Sequence, residues 1–299
     1  MVLGVKKREK TIRTPEDLLD AIPGFLGFNP TDSLVAVVVR DGDVHFTARW
    51  DVAGVEHEGG PSWFCERLTS LAQGPQTIFL VCYAARSRAL SAIIAMAQSL
   101  GDYVIDALIV DGQTWWFLDD DDQAEGRAVP HTNSALTASR ADLAASIAAP
   151  SGQREDEMLN TLIESIDCEE DIDPGMAGKA VVDMMNSWLA GKTLTDADFL
   201  TASVSMSVGQ ARDEVWRVLN HKTARDCLPF WKEVLIRTPK GIRTSALGVT
   251  GMVAWIAGEG ALLNICLEAA EEPDHPLITL LERISLDCLP PSSWDRVIS

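Results

Sequence analysis

The sequence predicts an α/β domain, a mixed sheet with covering helices, followed by an all-α helical domain with a tetratricopeptide-like rhythm. Three observations carry this. Through about residue 120 the apolar patterns run strand–strand–helix–strand–helix–strand–strand, an order that implies a mixed sheet. Beyond Gly152 no strong strand pattern remains, and helical spacing recurs instead. Apolar residues make up 46% of the 299, and nine Trp reach from Trp50 to Trp294, so both halves have a core to bury.

Residues 1–13 read as an N-terminal tail, 14–150 as the α/β domain and 151–299 as the helical domain. Thr14-Pro15-Glu16-Asp17 starts a helix. Thr14 can accept from an orphan backbone N–H, Pro15 sits where its missing N–H costs nothing, and the two acids favour the positive helix end. Leu18, Leu19 and Ile22 give it an apolar face, and Pro23-Gly24 is expected to end it. Ser33 to Val39 is a continuous apolar run, the mark of a strand covered on both faces. Asp41-Gly42 turns the chain into a roughly alternating strand from Val44 to Val52. A helix near Ser62–Leu71, a strand Thr77–Tyr83, a helix Ser87–Leu100 and a strand Tyr103–Val110 follow. Asp111-Gly112 then makes a second hairpin into Thr114–Leu118, and residues 119–134 read as a polar loop.

Ser139 is placed to cap a short helix that ends at Pro150-Ser151-Gly152. Helical windows follow at about 154–167, 176–190, 196–204, 209–220, 223–236, 244–257, 260–271 and 276–287. The stretch 247–256 is apolar on all sides and should be the buried centre of this half. Gly248 and Gly251 within it should let a neighbour approach closely. The helix–turn–helix rhythm has no second copy of a repeat unit, so a compact helical domain is expected rather than a repeat array.

The formal net charge is −19, from 25 basic and 44 acidic residues. Such a chain repels a phosphate backbone, and its one basic cluster, Lys6-Lys7-Arg8 with Lys10, lies in the tail; direct nucleic-acid binding is not expected. The six Cys contain no Cys-x-x-Cys pair and several sit among apolar residues, as small buried hydrophobes in a reducing compartment. There is no secretory h-region and no apolar stretch long enough to span a bilayer, so a cytoplasmic protein without membrane partners is expected.

The residues best placed for chemistry gather around the first hairpin. Arg49 and Asp51 share one face of a strand, roughly 6.5–7 Å apart. The start of the first hairpin strand lies opposite the end of the second, so Asp32 and Ser33 can meet Arg49 and Asp51 at one end of the sheet. As a site, this is an anion-binding Arg with carboxylate and hydroxyl partners. As structure, it is an ion pair plus an Asx turn that orders the start of the strand, the reading favoured here. No His in triad-like context accompanies Ser33.

Trp115-Trp116 should place one ring on each sheet face. Trp116 is a candidate wall for a ligand, against plain packing on a covering helix. The Asp119–Asp122 run lacks the alternating spacing, Gly and distal Glu of a calcium loop and reads as solvated. His131 is the best-placed His for a pocket, but no second His stands at ligand spacing. No metal and no cofactor is expected, because no nucleotide-binding, hydrolase or metalloprotease signature appears.

The chain resembles the actinobacterial and actinophage family known as domain of unknown function 4192, over nearly its full length. The carriers are Leu26-Gly27-Phe28-Asn29-Pro30-Thr31-Asp32-Ser33-Leu34-Val35, Ala48-Arg49-Trp50-Asp51, Asp106–Gly112 with Trp115-Trp116, Ser139–Ser146, Ala254–Ala261 and Cys288-Leu289-Pro290-Pro291. The resemblance implies a source, a compartment and an architecture, and no reaction.

The expected function is a non-catalytic cytosolic interaction or regulatory protein that self-associates as a homo-oligomer or binds a protein partner; if phage-encoded, it would act on a host factor. The alternative is a binder of a small anionic or nucleotide-like ligand, or an enzyme, with Asp32, Ser33, Arg49 and Asp51 as the floor of a site at the sheet end and Trp116 or His131 as its wall.

Overall fold

A computed structural model describes residues 12–296 other than 41, 72–75, 122, 131–138, 167–172, 288, 290, 292 and 295. It is a mixed α/β structure that divides into two compact units, Met1–Ser139 and Arg140–Ser299.

The first unit opens with α1 (Pro15–Leu26), started by a reciprocal cap in which Thr14 Oγ1 accepts from Asp17 N and Asp17 Oδ2 accepts from Thr14 N. The sequence placed its end at Pro23-Gly24, but the helix runs through Pro23 to Leu26. Leu26 and Phe28 are buried, and Gly27 turns left-handed (φ 80°) so that its N–H reaches the Pro23 carbonyl. Burial beyond the proline and this cap offset the one N–H that Pro23 lacks.

Then come β1 (Ser33–Arg40), β2 (Asp43–Asp51), α2 (Val52–Glu56), α3 (Gly60–Leu71), β3 (Thr77–Tyr83), α4 (Arg86–Leu100), β4 (Val104–Asp111), β5 (Thr114–Phe117) and β6 (Arg127–Ala128). The sheet order is β2-β1-β3-β4-β5-β6. Only β3 and β4 run parallel, joined by the α4 crossover; the other neighbours are antiparallel. Ser33 stands opposite both Asp51 and Tyr83, so the start of β1 and the ends of β2 and β3 share one edge of the sheet.

Leu34, Ala36 and Val38 of β1 and Ile78, Leu80 and Cys82 of β3 pack with Val55 of α2, Phe64 and Leu68 of α3 and Ala89, Ile93 and Met96 of α4. Val35 and Val37, on the opposite sheet face, are also fully buried, as an unbroken apolar run requires. Each such side chain contributes about 1.5–3 kcal/mol before chain entropy. The 119–134 stretch, read as loop, contains β6, which pairs Ala128 with Thr114 and Arg127 with Trp115. Gly126 makes the approach possible: a Cβ there would lie 2.0 Å from Thr114 Cγ2.

The described residues of the second unit form helices only: α5 (Arg140–Ala145), α6 (Gln153–Ile166), α7 (Pro174–Leu189), α8 (Asp196–Ser205), α9 (Gly209–Val218), α10 (His221–Arg237), a 3-10 turn Lys240–Ile242, α11 (Thr244–Ala257), α12 (Gly260–Glu268) and α13 (Pro276–Leu286). The short helix after Ser139 falls in this unit, where α5 packs against α12 and Arg140 pairs with Glu268.

Every residue of α11 is buried. Two of its glycines admit α13: a Cβ on Gly248 would lie 2.7 Å from Leu277 Cβ, and one on Gly251 would lie 2.8 Å from Leu281 Cδ1. Gly178 of α7 meets the backbone of Ala211 in α9 the same way, at 2.4 Å from its carbonyl oxygen. Thr195 with Asp198 and Asn220 with Thr223 cap α8 and α10 reciprocally.

Candidate functional site

The end of the sheet that carries Ser33, Asp51, Tyr83 and Asp111 collects most of the candidate residues. β1 and β2 are joined antiparallel, and side chains two apart share a face, so Arg49 reaches back over Val35 toward Ser33. Arg49 Nε donates to Ser33 Oγ at 2.8 Å, and its Nη2 donates to Asp51 Oδ1 at 2.6 Å. Ser33 is fully buried, and its Oγ donates a hydrogen bond to the Thr31 carbonyl at 2.6 Å. The Arg49 guanidinium lies 5.9 Å from the Phe28 ring centroid. Three of the sequence candidates, Ser33, Arg49 and Asp51, are thus brought together in a satisfied chain of hydrogen bonds.

Asp32 belongs to a second cluster. It takes a left-handed backbone conformation (φ 44°), which leaves its carbonyl to accept from Val52 N at 2.9 Å. Its carboxylate pairs with Arg88 of α4 at 3.0 Å. Arg88 in turn grips Glu56 of α2 bidentately, Nε to Oε1 at 2.8 Å and Nη2 to Oε2 at 2.9 Å. The Arg88 hydrogen bonds hold the Glu56 carboxyl below its ordinary range, and Glu56 raises Arg88. Cys82, beneath this cluster, is pushed up to about 12 by burial and is therefore a thiol, not a nucleophile.

Trp116 lies on the face opposite Trp115, as alternation requires. Trp115 is buried, whereas Trp116 is half-buried against the helix-covered core and donates Nε1 to the Ala124 carbonyl at 3.2 Å. The Arg86 guanidinium, at the start of α4, sits 4.8 Å from its ring, and Arg86 N donates to Asp111 Oδ2 at 3.0 Å. In the acidic run, Asp120 accepts from Phe117 N and pairs with Arg127 at 2.6 Å, which lowers its pKa. No group of three or more His, Cys, Asp or Glu able to hold a metal occurs among the described residues. His131 and Asp122 lie outside the described residues.

Sequence reasoning missed Arg86, Arg88 and Glu56. The signal available was position: Arg86 and Arg88 open the helix that follows a parallel strand, where an open α/β sheet gathers polar groups.

The architecture defines a mixed α/β protein whose sheet end is closed largely by its own ion pairs. The family model of the domain of unknown function DUF4192 matches residues 15–292, and the chain belongs to that family. No curated protein and no solved structure matches it. No described helix is long and apolar enough to cross a membrane.

Proposed function

We propose that this is a non-catalytic interaction or regulatory protein that self-associates through its helical unit. The observation that carries the reading is the second apolar strip of α6. Met158 and Leu162 turn inward onto Leu200, yet Leu159 and Ile163, four apart and so on one face, are 39% and 57% exposed. A helix that faces only water presents polar residues there, and an outward apolar strip suits a partner surface. The tetratricopeptide-like rhythm, a cytoplasmic location and an actinobacterial or actinophage origin, with a host factor as partner in the phage case, belong to the same proposal.

The reading is tested by sedimentation of the wild type against a Leu159→Ser/Ile163→Ser double variant. The wild type should sediment as an oligomer and the variant as a smaller species with unchanged helicity. A monomeric wild type, or an oligomer indifferent to the substitutions, contradicts self-association through this face.

A ligand site at the sheet end is the second reading. One observation favours it: the Tyr83 hydroxyl, on the residue paired with Ser33, is enclosed without a hydrogen-bond partner among the described residues, and burial raises its pKa. A small anionic ligand bound there would depend on Arg49.

A further inference from the structure

Among the described residues, the most deeply buried cation without an ion pair is in the helical unit. Arg243 precedes α11 and is 7% exposed. Its Nη2 donates to the Ile147 carbonyl oxygen, while its Nε is enclosed and meets no acceptor. Burial depresses its pKa, the signature of a charge that lacks a close counter-ion. No carboxylate forms an ion pair with it among the described residues.

Beside it is a cavity of about 260 Å³ lined by Lys240, Arg243, Thr244, Leu247 and Glu271 among others. The cavity opens on the N-terminus of α11, whose N-cap residue supplies no side-chain hydrogen bond. The first-turn N–H groups of a helix lack intrahelical acceptors and carry partial positive charge. Here Thr244 and Ser245 are buried. Ser245 Oγ is engaged with His275 Nε2, 3.1 Å away. Glu271 is exposed and acts on Arg243 only through space. Two cations and an uncapped helix start therefore face one carboxylate across a small, partly open cavity, in a chain of net charge −19.

We infer that this cavity binds a small oxyanion, a phosphate or a carboxylate group, held by Arg243 and Lys240 at the N-terminus of α11. The chemistry is that of anion capture at a helix start, with the guanidinium supplying the directed donor. The volume suits an anion the size of inorganic phosphate or a short dicarboxylate rather than a nucleotide. The inference stands apart from self-association and from the sheet end.

Isothermal titration of the full chain with inorganic phosphate and, separately, with succinate tests it, repeated on Arg243→Gln, Lys240→Ala and Arg49→Ala. At least one anion should bind saturably, and whichever binds identifies the phosphate or carboxylate class. Arg243→Gln should weaken it at least about tenfold, since a charged hydrogen bond is lost. Lys240→Ala, an exposed change that leaves the core intact, should weaken it severalfold, and Arg49→Ala should leave it unchanged. If Arg243→Gln does not fold, the Lys240→Ala result decides. No saturable binding of either anion, or binding indifferent to Lys240→Ala and Arg243→Gln, overturns the assignment.

Discussion

In the sheet unit, Arg49 is bonded to Ser33 and Asp51 and Arg88 to Glu56 and Asp32, all at 3.0 Å or less. In the helical unit, Arg237 is tied in the same way to Asp196 and Glu233, but Arg243, more deeply buried than any of these, meets only a backbone carbonyl among the described residues. The conspicuous cluster is therefore the self-sufficient one, and the inconspicuous residue is left with capacity to spare. Charges that neutralise one another within the fold order the start of a strand; a buried charge that forms no ion pair among the described residues is where an external anion is proposed above. The same contrast runs through the packing. The sheet core is filled mostly by Val, Leu and Ile, whereas the helical core uses glycines for close approach, Gly178 to the backbone of Ala211 and Gly248 and Gly251 to the side chains of Leu277 and Leu281.

The largest effect should come from emptying the helical core. Trp231 of α10 is fully buried between neighbours that include Phe230, and Trp231→Ala should cost about 3–5 kcal/mol in a urea melt. A smaller effect follows from filling a glycine contact. Gly178→Ala sets a methyl against the Ala211 backbone, which cannot swing aside as a side-chain end can; a loss of about 1–3 kcal/mol is expected in the same melt. A loss under half of that would mean that α7 and α9 part easily.

At the sheet end, Arg49→Ala should cost only about 1 kcal/mol. Ser33 keeps its bond to Thr31, and Asp51 is 70% exposed and free to hydrate. Glu56 gives the smallest effect, and a sign that can be checked. Its folded pKa lies below the ordinary 4.5 because Arg88 hydrogen-bonds the carboxylate. Its contribution is therefore present above the unfolded value and is lost as pH falls through the folded one. Chemical melts across acid pH should show the wild type losing more stability below about pH 4.5 than Glu56→Gln, with the two curves parallel above it.

Much of the architecture was legible because period and turn chemistry act locally. The eight helical windows from 154 onward differ from the observed helices by no more than three residues at any end. The Ser33–Arg49–Asp51 chain was legible because side chains two apart share a strand face and the hairpin sets Ser33 opposite Asp51. What failed depended on distant or very short contacts. Asp32 finds Arg88 56 residues away, across the sheet-to-helix crossover that no local pattern encodes. Arg243 finds Ile147 96 residues away, so the cavity beside it leaves no trace in spacing. Two-residue β6 is too short to show a period, and Pro23 is a local breaker overruled by the burial of Leu26.

The contrast between a closed sheet end and an open cation in the helical unit is tested most directly by native mass spectra of the gently purified wild type, Arg49→Ala and Arg243→Gln proteins, recorded side by side. The account predicts an oligomer in all three, and any small-molecule adduct should survive Arg49→Ala and disappear in Arg243→Gln. An adduct that vanishes in Arg49→Ala while surviving Arg243→Gln would contradict it and make the sheet end the binding site.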